Sequence, residues 1–317
     1  MGGGITMYNE AIKLEFIESI KNAGTKKVAK SLFRKTGAIC ESSLDKDIAV
    51  MEASEILGIL EQIGHLNYMT LRVDVYLLKR YAKWYNQHVC TTDLSKISSL
   101  SAMDVDLSKA FNAGLIKDED ELMGVLSFIA ASDGYFEIPV ILMSWLGLTL
   151  EEILSLKNED VIFKDNSVFM QTHRKMICTD SDRIVSALRE YKSVKSSIRS
   201  HRGDWIVYPD DLGLFIKNMV TKDSKFLGRP VTTSIVRKKI EQYNRNIPGN
   251  MKQITVDNVL LSGRLHRILE SEITTGKVLP ETIVNELRIR LVLVNDGIAM
   301  YNSYKKAFDI KIENKAE

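Results

Sequence analysis

Cysteine is scarce. The 317 residues hold three, Cys40, Cys90 and Cys178, far apart in the chain and odd in number. That excludes the disulfide framework of a small secreted domain, and no CxxC or Cys/His spacing suggests zinc. Reduced thiols in a cytoplasm are expected. Proline is equally rare, with five residues, and the long periodic runs between them point to a mostly helical protein. An excess of one charge is missing too. Lysine and arginine number 43 against 41 acids, a net charge of +2, so any nucleic-acid surface has to come from local clustering. No apolar run reaches the length of a membrane span, and no signal peptide is visible, so no membrane partner is expected. GxSxG, Walker and HExxH motifs are absent, as are carboxylates at metal spacing, and neither a cofactor nor a metal is expected. What remains is an ordinary soluble composition, 45% hydrophobic and 26% charged, in a chain long enough for two domains with sizeable cores.

The most informative stretch is Ile138 to Val161, IPVILMSWLGLTLEEILSLKNEDV. It reads as a buried helix from Ile138 to Trp145 and a tight turn at Gly147. An amphipathic helix follows, with Leu150, Ile153, Leu154 and Leu156 on one face. Thr149 suits the N-cap of that second helix, its hydroxyl accepting the amide of Glu151 or Glu152. Periodicity alone says only that two core helices meet here. The order of residues says more. It resembles the "tGLRisEllsLkwsDi" signature of the tyrosine recombinases, the phage integrase family, through Gly147, Leu148, Glu152, Leu154, Leu156 and Asp160. Thr149 falls where that family carries its first catalytic arginine.

The resemblance implies a mostly α, two-domain fold. A helical core-binding-type domain (1–115) would precede a degenerate catalytic-type domain (116–317) that carries a small β-sheet. In the first domain, Tyr8 to Ile20 is amphipathic, and Lys26, Lys27, Lys30, Arg34 and Lys35 gather five positive charges beside Val28, Leu32 and Phe33. That run fits a solvated helix as well as a contact to DNA backbone. Asp45 to Gly64 reads as a helix. Asn67 to Val89 reads as a longer one, with Leu71, Val75, Leu78 and Tyr81/Ala82 inward and Lys79, Arg80 and Lys83 on a basic outer face. The acid-rich segment from Phe111 to Glu121 suits an interdomain boundary.

After Asp160 the chain alternates as short strands around a Lys164-Asp165-Asn166 turn. In the family a turn of this sheet bears a catalytic lysine. His173, Arg174 and Lys175 lie near that position, with Lys175 able to fill the role or all three to touch phosphate. Ser181 to Tyr191 reads as a helix, and the following KSVKSSIRSHRGD, with Arg202, as a surface loop or helix end. Lys222 to Lys252 carries eight positive and two negative residues. Within it Arg229 and a Thr232/Thr233 cap precede Arg237, Lys238 and Lys239, and Ile235, Val236 and Ile240 form the inner face. Hydroxyls and amides at such a helix start suit phosphate, and arginine suits guanine edges. A solvated charged helix would read the same way.

The family's H-x-L-R-H box, aligned on Leu265, puts Gly263 at the first histidine, His266 at the second catalytic arginine and Arg267 at the following histidine; Arg264 keeps the region positive. No counterpart of the last histidine stands in the helix expected from Pro280 to Val294. Tyr301 and Tyr304 lie where the nucleophile would be. Removing one preorganised donor of a phosphoryl-transfer site typically costs on the order of 2–4 kcal/mol. Losses at Thr149, Gly263 and His266 therefore imply no enzyme, and tyrosines that pack rather than attack.

The expected function is sequence-specific binding of a double-stranded operator without cleavage. That suits a transcriptional repressor that maintains phage lysogeny, similar to the recombinase-fold lysogeny regulators of SPβ-type phages. The expected location is the bacterial cytoplasm at the nucleoid. The partners implied are duplex DNA and a regulatory peptide or antirepressor protein, with the chain a monomer or weak oligomer. Two alternatives stand beside it: an active divergent recombinase, with Arg264 or Arg267 replacing the lost arginine, and a protein-interaction module on the same fold.

Overall fold

The computed structural model describes residues 7–312 except 67, 133, 195, 199–204, 208–211, 219, 222–228 and 250. The chain opens with α1 (Glu10–Ser19), α2 (Ala23–Thr36), the single turn α3 (Ser42–Leu44), α4 (Ala53–Ile63) and α5 (Tyr68–His88). The short α6 (Ser95–Ser98) and α7 (Ser108–Gly114) follow, then α8 (Glu119–Ala131), α9 (Glu137–Trp145) and α10 (Leu150–Ser155). Strands β1 (Val161–Lys164), β2 (Ser167–Gln171) and β3 (Met176–Thr179) precede α11 (Asp182–Ser193). After it come β4 (Ser196–Ile198), β5 (Trp205–Val207) and β6 (Val220–Thr221). Helices α12 (Thr233–Asn246), α13 (Val256–Thr275), α14 (Pro280–Leu287) and α15 (Val294–Ala307) complete the chain. The protein is mostly helical, as its composition implies.

Two compact units result. One is Met1–Phe111 with Leu291–Lys311, the other Asn112–Arg290 with Ile312–Glu317. The break after Phe111 lies close to the expected boundary of 1–115 and 116–317. The C-terminal helix departs from that division, because α15 belongs with the N-terminal helices. Its apolar face carries Met300, Tyr301 and Tyr304, all buried, and Lys306 pairs with Asp106 at 2.7 Å.

The N-terminal unit is built on an aromatic cluster. Phe16 of α1, Phe33 of α2 and Tyr81 of α5 are fully buried, with ring centroids 4.8–5.9 Å apart. Beside it lies an ion pair that amphipathic patterning conceals. Lys13, on the inner face of α1, meets Glu41 at 2.5 Å with both side chains wholly buried. Glu41 also accepts the Thr36 hydroxyl and the Ile48 amide. A π-helical turn, Gly37–Glu41, continues α2 and leads up to Glu41. Only the second part of the helix expected over Asp45–Gly64 forms. A capping box at Glu52 and Glu55 starts α4, and Gly64 at φ 72° stops it. Val28, expected inward, is exposed; Ala29 takes its place on the buried face of α2.

In the second unit α9 is apolar on every side and forms the centre. Val140, Ile141, Leu142 and Met143 are fully buried. The sheet β1-β2-β3 is antiparallel, with Val161 opposite Met170 and Val168 opposite Thr179. The two-residue loop between β1 and β2 has Asp165 at φ 51°. The segment expected as a loop after α11 instead supplies β4 to a second antiparallel sheet, β4-β5-β6. The helix expected from Pro280 to Val294 stops at Leu287, where Arg288 turns left-handed at φ 53°.

Helix α13 packs on α9 at the closest possible range. A Cβ placed on Gly263 would lie 1.8 Å from the Trp145 carbonyl oxygen, whereas one on Gly124 in α8 meets nothing within 4 Å. Gly263→Ala is expected to destabilise the protein by about 3 kcal/mol through forced separation of α9 and α13. Gly124→Ala should stabilise it by about 0.5–1 kcal/mol through lost backbone entropy. Urea midpoints of the two variants check both signs.

Candidate nucleic-acid interface

Helix α9 ends in a Schellman turn. The Gly147 amide donates to the Ser144 carbonyl at 2.9 Å and the Leu148 amide to that of Met143 at 3.0 Å, with Gly147 at φ 98°. Cations take two of the remaining carbonyls: Arg267 Nη1 donates to Trp145 O and Lys175 Nζ to Gly147 O, both at 2.7 Å. A side chain at Gly147 would meet Arg267 Nη2 at 2.6 Å, so the glycine serves the close approach as well as the turn. Thr149 then caps α10. Its hydroxyl accepts the Glu152 amide at 3.3 Å, and the Glu152 carboxylate accepts the Thr149 amide at 2.8 Å. The position aligned with a catalytic arginine is thus a helix cap.

Four cations converge beside this turn. Lys175 comes from the β2–β3 turn, which Thr172 organises by bonding the amides of Arg174 and Lys175. Burial, then the Arg288 charge, pushes the Lys175 ammonium down to about 8, with Arg264 and Arg267 adding to the effect and Glu152 opposing it. Arg264, half-buried on α13, is lowered to about 10 by burial and by its neighbours Arg288 and Arg267. It makes no hydrogen bond or ion pair among the described residues. Arg267 is committed differently, with Nε and Nη2 on Glu286 at 2.9 and 2.8 Å. Arg288 brings its Nη2 to 3.7 Å from Glu152 Oε2. Burial raises Glu152, but the Thr149 amide, Lys175, the Thr149 hydroxyl and Arg288 together hold it below the usual carboxylate range. The result is a half-buried positive pocket with an uncommitted guanidinium, an arrangement suited to an anion with several acceptor oxygens.

Of the positions expected at a catalytic centre, the structure brings Lys175 to the cluster and diverts the others. Gly263 is consumed by helix packing. His266 lies on the Trp145 ring, with centroids 5.2 Å apart, and its Nε2 is 3.6 Å from Glu270. Tyr301 and Tyr304 are wholly buried in α15. Arg288 was missed by the sequence reading; the double arginine of ELRIR was its one signal, and nothing local marks which arginine turns inward.

The remaining basic positions divide by what holds them. Thr232 caps α12 through the Ile235 amide, Thr233 is half-buried behind it, and Arg237 and Lys238 are exposed as expected. Arg174 is exposed in the β2–β3 turn, and Arg229 is exposed ahead of α12. Arg202 lies outside the described residues. The basic outer face of α5 is narrower than expected. Lys79 donates to the Ser98 carbonyl at 2.7 Å, Arg80 stacks over Phe16, and Lys83 alone of the three is fully exposed.

A family model described as "MrpR, N-terminal core-binding domain" matches residues 7–87. No curated protein matches. Among solved structures, the chain is similar to the XerH site-specific recombinase bound to palindromic difH substrate, at 12% identity over 93% of this chain and 82% of that one, with a TM-score of 0.39. The Tn1549 transposon integrase in complex with a circular intermediate DNA aligns at 13% identity over 92% and 95%, TM-score 0.40. The XerA recombinase aligns at 13% over 94% and 96%, TM-score 0.39. At these TM-scores nothing about the site is carried over from them.

The lowered Lys175 value has a testable sign. Folded Lys175 titrates near 8 and the unfolded lysine near 10.5. Between those values the unfolded chain binds more protons, so stability rises with pH across the window and is flat in this respect below it. Wild-type protein should therefore gain on Lys175→Met as pH is raised from about 7 to about 9.5 in denaturant titrations. A constant difference would refute the lowered value.

Proposed function

We propose that this chain is a sequence-specific duplex-DNA-binding protein on a degenerate recombinase frame, acting as a transcriptional repressor that maintains phage lysogeny and holds its operator without cutting it. One observation carries the reading. Lys175, Arg264, Arg267 and Arg288 gather into a half-buried positive cluster, while Tyr301 and Tyr304 are buried as packing groups and Thr149 is spent on a cap. Such a pocket positions a backbone phosphate, and the exposed Arg237 and Lys238 of α12 can read or track a groove. The core-binding family match supports a duplex clamp on the N-terminal side. A protein that occupies a site without turning it over is suited to blocking transcription. The uncommitted Arg264 beside Lys175 favours a second reading, an active divergent recombinase with Tyr304 as nucleophile.

Capture of sheared host and phage DNA by the purified protein at about 150 mM salt, followed by sequencing, tests the first reading against the second. A short motif recurring at promoters is the expected result. A single locus, with a covalent adduct on nicked DNA that Tyr304→Phe abolishes, would replace it with the recombinase. On the captured site Arg237→Ala should cost about 1–3 kcal/mol and relax specificity, as for a base-reading arginine. Lys238→Ala should weaken all duplexes alike and reduce the salt slope by about 0.9. Unchanged binding in both variants would remove α12 from the interface.

A further inference from the structure

Arg288 occupies an expensive position. It is the C-cap of α14, at φ 53°, ψ 41°, where glycine or asparagine is the ordinary choice because a Cβ crowds the backbone. A non-glycine residue kept in this region points to a side chain that is needed. Its guanidinium leans toward Glu152 without closing a hydrogen bond, at 3.7 Å. Glu152 is itself under-satisfied. The side chain is 95% buried, since its exposure is 5%, and Oε1 has no hydrogen-bond partner among the described residues. Capping α10 uses Oε2 alone. Arg264 meanwhile stands among like charges with no partner. Arg264 and Arg288 are thus neighbouring like charges that one anion could bridge.

Building on the duplex-binding reading, we infer that Arg288 is a backbone-phosphate ligand, and that Glu152 is the internal anion it leaves when the duplex arrives. A phosphodiester offers two charged oxygens, enough to bridge Arg264 and Arg288 with Lys175 alongside. Glu152 then acts as a brake. It occupies Arg288 in the free protein and repels the incoming phosphate.

The test uses the full chain and a fluorescein-labelled mixed-sequence duplex of about 30 base pairs at about 50 mM salt, where backbone contacts dominate. Arg288→Gly should weaken binding about tenfold and flatten the salt slope by about 0.9, while the melting temperature stays level or rises because glycine suits the backbone. Arg288→Gln, which keeps the side-chain bulk, should weaken binding alike. Glu152→Gln retains the cap and should tighten binding severalfold in the wild-type background and by a smaller factor in Arg288→Gly, where only the repulsion is relieved. Wild-type affinity in both Arg288 variants, or no tightening in a folded Glu152→Gln, overturns the inference. Arg264→Ala and Lys175→Gln, run in parallel, separate the two levels. If they weaken binding while the Arg288 variants do not, the inference alone fails; if none of them does, the duplex reading of this pocket fails with it.

Discussion

Helix α13 lies against the carboxyl end of α9 with no side chain between the two backbones. The contact exists because position 263 has no Cβ to strike the Trp145 carbonyl. One turn later the same face of α13 carries Arg267, which reaches that carbonyl and fills the space left open by Gly147. The turn, the cap at Thr149 and the direction in which Arg264 and Lys175 approach all follow from this register. A helix held one side-chain radius further out would leave Trp145 O unsatisfied and the cations dispersed into solvent. Sterics thus come first here, and electrostatics are arranged on the frame that sterics provide.

Two of the ionic sites among the described residues have opposite character. Lys13 and Glu41 are closed upon each other, with the remaining carboxylate oxygen taken by Thr36. Such a site is complete and asks for nothing. The pocket beside Gly147 is open. Four cations share two carboxylates, one guanidinium stays uncommitted, and the ammonium of Lys175 is destabilised toward neutrality. Proteins seldom gather like charges in half-buried positions without an external anion in view. The contrast also explains why α5 contributes less than its sequence promises. Its lysine and arginine at 79 and 80 have internal partners and are no longer available as a charged face.

Long periodic helices were legible in the sequence because burial of one face dictates them. Leu71, Val75, Leu78 and Tyr81 of α5 lie inward as their spacing implies. Thr149 and Thr232 cap the helices they precede, since a hydroxyl before an apolar periodic run has one good use. What the sequence hid depends on distant pairing. Nothing in the amphipathic pattern of Tyr8–Ile20 marks Lys13 as buried, and only Glu41 makes its burial tolerable. Strand β4 was obscured by serine and positive charge, because a short strand needs partners more than propensity. The pocket was half legible. Lys175 and Arg264 were marked by alignment with a known box, but Arg288 depends on a backbone excursion that no local pattern announces. Gly263 was read as a lost histidine, and its steric duty became visible only with Trp145 opposite.

The membership of α15 in the N-terminal unit bears on how the protein is made. The second unit is drawn from one nearly continuous stretch, Asn112–Arg290, and can close while the chain is still being synthesised. The N-terminal unit cannot, because Tyr301 and Tyr304 fill part of its interior and follow the Asn112–Arg290 stretch in the chain. Apolar surface on the first helices therefore waits, uncovered, while Asn112–Arg290 is being made. A chain interrupted after that stretch has the bulk of its second unit and an incomplete first, so α15 is the clasp without which the first unit stays open.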